Sequence, residues 1–224
     1  MDFLIFGASS KSIYGLSDLL GQVGKVYTVS RKSLPAEVES ARHFKVDCYD
    51  VATVSGVFAS VQSKELVVVI SNGVADTKAF YKLDQEEIAN IAHVNYILPL
   101  LITNVGIKAR MYLHTKFVYI SSARAQSRDR GIVMYSSSKA GLEQAVKCLA
   151  YEYGQHDKFF YVIALGLMKN GMADELSPKL KSKIMKNTSF RELITVKDVF
   201  AAITFISSNK TITGSVVHVT NGHI

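Results

Sequence analysis

Cysteine and proline are scarce in this chain of 224 residues, with two of the first and three of the second. Cys48 and Cys148 have neither metal-ligand nor redox-pair spacing; both fall in segments expected to be buried and read as free structural thiols. Pro35, Pro99 and Pro178 mark no domain boundary, and no repeat, linker or low-complexity tract divides the chain. The longest apolar stretch, Val94 to Ile107, is broken by Asn95, Pro99, Thr103 and Asn104, and the N-terminus runs from Met1 and Asp2 straight into FLIF without a basic flank. Neither feature favours a membrane span or a secretory signal, so a cytoplasmic protein without membrane contact is expected. Histidines at 43, 93, 114, 156, 218 and 223 lack clustered partners, which argues against a metal. No GxSxG elbow accompanies them, which argues against a hydrolase.

Charge is also thin, at 20% of residues against 48% hydrophobic, the balance of a folding globular chain rather than a disordered one. The net charge of +7 comes from scattered lysines and arginines; only Arg124, Arg128 and Arg130 and the segment Lys179 to Lys186 are locally rich. That distribution gives no nucleic-acid surface. The length suits one compact domain covering residues 1–224.

What is present is alternation. Apolar runs at Phe3 to Phe6, Val26 to Val29, Leu66 to Ile70, Phe117 to Ile120, Phe159 to Ala164 and Val216 to Val219 read as strands. Between them Ser17 to Val23, Val51 to Ser63, Gln85 to Lys108, Tyr135 to Tyr153 and Lys197 to Ser207 read as helices. On the helix from Tyr135, Ala140, Leu142, Ala145, Val146, Leu149 and Tyr153 form one apolar face. Strands apolar on both sides and alternating with helices predict an α/β, Rossmann-like, doubly wound parallel sheet with helices on both faces. Residues 170–191 are the least regular segment, either a lid over a site or a surface helix pair.

The segment FGASSKSIYG follows the first strand and opens the first helix, where a dinucleotide fold seats its pyrophosphate; small residues after a strand also serve as a plain turn. Two Tyr-x-x-x-Lys pairs occur, Tyr112 with Lys116 and Tyr135 with Lys139. Only the second begins a long amphipathic helix and has a serine thirteen positions upstream, Ser122, at the end of FVYISS. A phenol is a poor acid or base at neutral pH, and a lysine one turn along the same helix face favours its phenolate.

With these residues the chain resembles the short-chain dehydrogenase/reductase family from residue 2 to residue 223. The resemblance implies a catalytic tetrad of Asn95, Ser122, Tyr135 and Lys139. Tyr135 would be the general acid/base and Ser122 would steady the substrate oxygen. Lys139 would also hold the nicotinamide ribose, and Asn95 would order a relay water. Cofactor contacts are implied at Gly7, Ser9, Ser10, Lys11 and Ile13 in the turn, Arg31 after the second strand, Asp47 ending the third, Asn72 and Gly73 after the fourth, Tyr135 and Lys139 of the tetrad, and Ile163, Gly166 and Asn170 around the end of the sixth. The turn departs from the family pattern: Lys11, Ser12 and Ile13 replace Gly-Ile-Gly and Gly15 comes two residues late, similar to the longer turn of bacterial enoyl reductases. That group spaces its Tyr and Lys farther apart than this chain does. Leu165 and Asn170 replace the usual proline and threonine.

Relatives that use NAD carry an acidic residue where Ser30, Arg31 and Lys32 stand, so NADP is expected, with NAD as the other possibility; Arg31 as a solvated strand end is the plainer reading. Asp47 has an equally plain reading as a helix cap. The implied activity is hydride transfer between NADPH and a small-molecule carbonyl or alcohol, by a homodimer or homotetramer. Basic Arg124 and Arg128 between Ser122 and Tyr135 suggest an anionic or carrier-linked substrate, a sugar derivative or 3-oxoacyl thioester. The rival is a non-catalytic nucleotide-sensing or scaffold protein that keeps the fold.

Overall fold

In the computed structural model, all residues are described except 35–40, 76, 112, 172–176, 187 and 223–224. Seven strands form one sheet: β1 (Asp2–Phe6), β2 (Val26–Ser30), β3 (Ala41–Lys45), β4 (Glu65–Ile70), β5 (His114–Ser122), β6 (Lys158–Leu165) and β7 (Val216–Val219). Their order across the sheet is β3-β2-β1-β4-β5-β6-β7, and every pairing is parallel. The strand order reverses between β1 and β4, and in open α/β sheets ligands bind outside the carboxyl ends of the strands at that point.

Side chains alternate across the pleat, so each strand feeds two cores. Leu4, Phe6, Val68, Ile70, Phe117, Tyr119, Phe160 and Val162 pack toward α2 (Val51–Ala59), α4 (Leu98–Ala109) and α5 (Val133–Tyr153). Phe3, Ile5, Val67, Val69, Val118, Tyr161 and Ile163 pack toward α1 (Leu16–Gly21) and α7 (Val196–Ser207). The sheet is thus covered on both faces, as the continuous apolar runs require. Phe117 and Phe160 stack across neighbouring strands with centroids 5.3 Å apart, and Tyr119 shares a buried hydrogen bond of 2.6 Å with Thr103 of α4.

Several expectations are corrected. Cys48 and Cys148 are exposed: Cys48 lies in the loop between β3 and α2, and Cys148 on the side of α5 turned away from the core. The buried stripe of α5 is Tyr135, Ser138, Lys139, Leu142, Glu143, Val146 and Ala150, whereas Ala140 is exposed. The stripe thus carries polar and charged groups that an apolar count overlooks. The expected helix over 85–108 is present as one continuous run, in which α3 (Gln85–Ala92) passes into α4 through a π-helical turn at His93–Ile97 that the sequence did not announce. Strand β3 ends at Lys45, two residues short of Asp47; as an edge strand bearing Arg42, His43 and Lys45 it has no apolar signature.

Among the described residues one helical run, Gln85–Ala109, has the length and apolar content to cross a membrane. Its apolar positions Leu98, Ile102, Val105 and Ile107 lie in the core with Val54 and Phe58 of α2 and Leu142 of α5. Within residues 170–191 the structure describes one helix, α6 (Pro178–Lys186). Residues 172–176, central to a lid, are outside the described residues.

Candidate active site

The carboxyl ends of β1, β4 and β5 surround the switch point. After β1, Gly7 adopts φ 78°, and a Cβ there would come within 2.9 Å of the Asn72 main-chain nitrogen and 3.0 Å of Ser71 Oγ. Only glycine allows this crossing of the first turn and the end of β4. Ser71 secures it, its hydroxyl donating to Phe6 O at 2.9 Å. The residues that break the glycine pattern form a separate 3₁₀ turn, Lys11–Ile13, before Gly15 at φ 82° starts α1. Helix α1 then runs only six residues, Leu16–Gly21, so its dipole adds little to anion binding. Ser9 and Lys11 are exposed on this turn, Ser10 is half-buried and Ile13 is buried in the core beneath it. The segment after β6 closes on the same turn: a Cβ on Gly171 would lie 2.4 Å from Ser12 Oγ. Asn170, next to it, is exposed.

Strand β5 and helix α5 bring the remaining groups together. Ser122 ends β5, and its hydroxyl accepts the Arg124 main-chain N–H at 3.2 Å, capping a 3₁₀ turn at Ala123–Gln126. That bond leaves the hydroxyl hydrogen to be given elsewhere. Tyr135 is 5% exposed. Burial pushes its phenol above the ordinary value, opposed by a hydrogen bond with Ser122 and the charge of Arg124. Lys139, one turn further along the buried face, donates to Ile120 O at 3.0 Å and is held down to about 8 by burial, with the carboxylate of Glu143 acting against that.

Asn95 is fully buried in the π-helical turn, a geometry that often marks functional positions. Its Oδ1 accepts Val74 N–H at 2.9 Å, while its Nδ2 donates to Val74 O at 2.8 Å and Ser138 Oγ at 3.2 Å. The amide thus ties the loop after β4 to α5. A Cβ on Gly73 in that loop would sit 3.5 Å from Lys139 Nζ and 3.6 Å from Asn95 Oδ1. Gly73, Asn95, Lys139, Tyr135 and Ser122 therefore share one centre. The rival Tyr112 lies outside the described residues, and its Lys116 pairs with Glu65 at the opposite end of the sheet.

The fit to a dinucleotide is good on this chain's own atoms. Asn72 is half-buried, yet its Oδ1 is buried without a hydrogen-bond partner, and an orphaned acceptor beside an exposed loop fits a ligand donor. Asn72 also touches Tyr49, whose hydroxyl feels the charge of Arg31; Arg31 is exposed at the end of β2. Asp47 is exposed, and the cap of α2 is Asp50 instead, accepting Thr53 N–H at 2.7 Å. The helix-cap reading of Asp47 is thereby removed. Ile163 is buried in the sheet. Gly166 donates to Val219 O at 2.9 Å, and a Cβ on it would meet Thr220 Cα at 3.0 Å, so its small size serves packing against the end of β7. Sequence reading missed Glu143, Ser121 and Ser138, whose only signal was their spacing on the helix and strand already singled out.

A family model described as enoyl-(acyl carrier protein) reductase matches residues 23–223, leaving the glycine turn outside the match. The 3-oxoacyl-[acyl-carrier-protein] reductase FabG of Buchnera aphidicola subsp. Baizongia pistaciae is 36% identical over 109 residues, covering 48% of this chain and 44% of that protein. The enzyme of the same name from Rickettsia bellii is 26% identical over 171 residues, 75% of this chain and 70% of that one. The match to the Buchnera protein spans less than half of that relative's length. Among solved structures, an oxidoreductase of the short chain dehydrogenase/reductase family from Burkholderia thailandensis is 21% identical, with TM-score 0.87 over 99% of this chain and 91% of that one. A 4-hydroxyisoleucine dehydrogenase complexed with NADH is 17% identical, with TM-score 0.84 over 99% and 97%. The structural likenesses establish the fold, and the names of the model and of the relatives describe two different reductions.

Proposed function

Since the chain belongs to the short-chain dehydrogenase/reductase family, we propose that it is an NADP-dependent oxidoreductase moving a hydride between NADPH and the carbonyl or alcohol of an anionic or carrier-linked substrate. The observation that carries this reading is the single centre formed by Ser122, Tyr135 and Lys139 beside Gly73 and Asn95. When bound, the nicotinamide supplies or accepts the hydride. Asn72, Gly73 and Lys139 would hold its ribose side, the turn Gly7 to Ile13 its phosphates and Arg31 its adenosine end, with Asp47 beyond β3 and Asn170 after β6 as outer contacts.

In the reducing direction the substrate oxygen enters between Ser122 and Tyr135. Ser122 donates its hydrogen to that oxygen, because its acceptor side is taken by Arg124 N–H. Tyr135 releases its proton to the same oxygen, and the resulting phenolate is favoured by the ammonium of Lys139 and the guanidinium of Arg124. In the oxidising direction the phenolate takes the proton back. Asn95 holds the Val74 loop against α5, which keeps Gly73 open above Lys139.

Arg31 and Lys32, with no acidic residue between Ser30 and Lys32, support NADP over NAD. The relatives named as 3-oxoacyl-[acyl-carrier-protein] reductases support a 3-oxoacyl thioester. The Tyr135 to Lys139 spacing and those names favour carbonyl reduction over enoyl reduction. The test is a fluorescence titration of the protein with NADPH and NADH, in wild type and Arg31→Asp, followed by a carbonyl-substrate screen. NADPH binding that the substitution weakens, with NADH spared, is the expected result. Failure to bind either cofactor would return the chain to the scaffold reading, which the divergent turn outside the family match and Leu165 in place of the usual proline favour.

A further inference from the structure

Helix α5 turns three ionisable side chains onto its buried face at successive turns, Tyr135, Lys139 and Glu143, and the last three residues of β5 receive them. Ser122 shares a hydrogen bond with Tyr135, Ile120 O accepts from Lys139 Nζ at 3.0 Å, and Ser121 Oγ donates to Glu143 Oε1 at 2.7 Å. Glu143 is 6% exposed and Ser121 4%. A carboxyl group so deep is costly unless it is bonded or paired, and a hydrophobic residue would fill a helix position facing the sheet without that cost.

We propose that Glu143 is a positioning residue of the catalytic centre: clamped by Ser121, its carboxylate sets the charge state of Lys139, whose ammonium is seated on Ile120 O. The consequence for catalysis rests on the hydride-transfer reading above; the effect on the lysine does not. Lys139 is 4% exposed, and the hydrogen bond it makes among the described residues goes to a neutral carbonyl. Gly73 from the loop after β4 and Asn95 from the π-helical turn face it without charge. Among the described residues Tyr135 and Arg124 are the other titratable or charged groups at this centre; the guanidinium is positive and the protonated phenol is neutral, so neither supplies negative charge. Glu143, one turn along the same face, supplies it.

The direct test is lysine-selective NMR on the full chain, with the Lys139 signal assigned by its loss in Lys139→Arg. The wild-type signal is expected to titrate near pH 8. In Glu143→Gln its midpoint falls by about one pH unit or more, because an opposite charge one helical turn away on the same buried face is removed. Glu143→Met, an apolar side chain of similar length, gives the same fall if the glutamine variant does not fold, and Glu143→Asp stays near wild type. In wild type the Glu143 carboxyl carbon should shift at the Lys139 midpoint. A Lys139 midpoint unmoved in the neutral variants, or a Glu143 carbon blind to it, overturns the proposal. The enzyme arm follows the alkaline limb of kcat/KM, which moves to lower pH in the neutral variants. A wild type that turns over no carbonyl substrate would sink the oxidoreductase reading while the NMR arm still decides the role of Glu143.

Discussion

Lys139 Nζ donates to the main-chain oxygen of Ile120 at 3.0 Å, so the ammonium of α5 is anchored to β5 two residues before Ser122. A backbone acceptor at that place survives any side-chain change on β5, and the lysine stays aimed across the sheet end. Removing the phenol should therefore separate chemistry from binding. Tyr135→Phe is expected to lower kcat by roughly 10²- to 10⁴-fold while the dissociation constant for NADPH changes little. Stopped-flow turnover and cofactor fluorescence on the same sample check it, and a variant retaining wild-type kcat would remove Tyr135 from the proton path.

Arg31 stands exposed after β2 with no carboxylate beside it in sequence. Losing a charge-assisted contact to a 2′-phosphate and gaining a repulsive one should weaken NADPH binding by roughly tenfold to a hundredfold in Arg31→Asp. NADH, which lacks that phosphate, should bind as before. Equal loss for both cofactors would place Arg31 in the fold rather than in cofactor choice.

Arg124 acts on Tyr135 from the turn after Ser122, and Arg128 follows it in the exposed part of the same loop. The double charge reversal Arg124→Glu with Arg128→Glu is expected to raise KM for an anionic carbonyl substrate by roughly tenfold or more, with a smaller change for a neutral one. Unchanged KM for the anionic substrate would discard the preference for negative charge.

At the other end of the sheet, His114 reaches Asp157 at 2.7 Å, and Lys116 pairs with Glu65. The Lys116 hydrogen bond holds the Glu65 carboxyl below its ordinary 4.5, and His114 holds Asp157 below 3.8. Depressed folded-state values mean stability that is fully present above the unfolded values and is lost as pH falls through the folded ones. Tm should thus decline from about pH 4.5 downward, and Glu65→Gln should flatten part of that decline. Both carboxylates are more than a third exposed, so solvent screening keeps the effect modest. A Glu65→Gln curve parallel to wild type down to pH 2 would show that the pair contributes nothing measurable.

Gly106 of α4 lies under the aromatic stack, where an added Cβ would approach Phe58 Cζ at 2.7 Å and Phe117 Cε1 at 3.0 Å. Gly106→Ala should destabilise the fold by about 1–3 kcal/mol through overpacking, despite the better helix propensity of alanine. Denaturant unfolding measures it; a neutral or stabilising result would mean that the two rings shift freely.

Much of this molecule was legible in local pattern. Continuous apolar strands such as Leu66 to Ile70 report burial on both faces, because a sheet covered twice has no polar side to alternate with. Tyr135, Lys139 and Ser122 were legible because a helical period and a strand end fix their relative places within short stretches of chain. The edge strand β3 was less so, since its outer side faces water and accepts Arg42 and Lys45. The exposure of Cys48 and Cys148 depended on how α5 is rotated and where β3 stops, which spacing alone does not specify. The meeting of Gly73 with Asn95 and Lys139, the crossing of Gly7 over Asn72, and the clamp of Ser121 on Glu143 are contacts between distant segments. They exist because parallel strands bring their carboxyl ends to one edge, and the reversal of strand order at β1 and β4 leaves room there for a ligand.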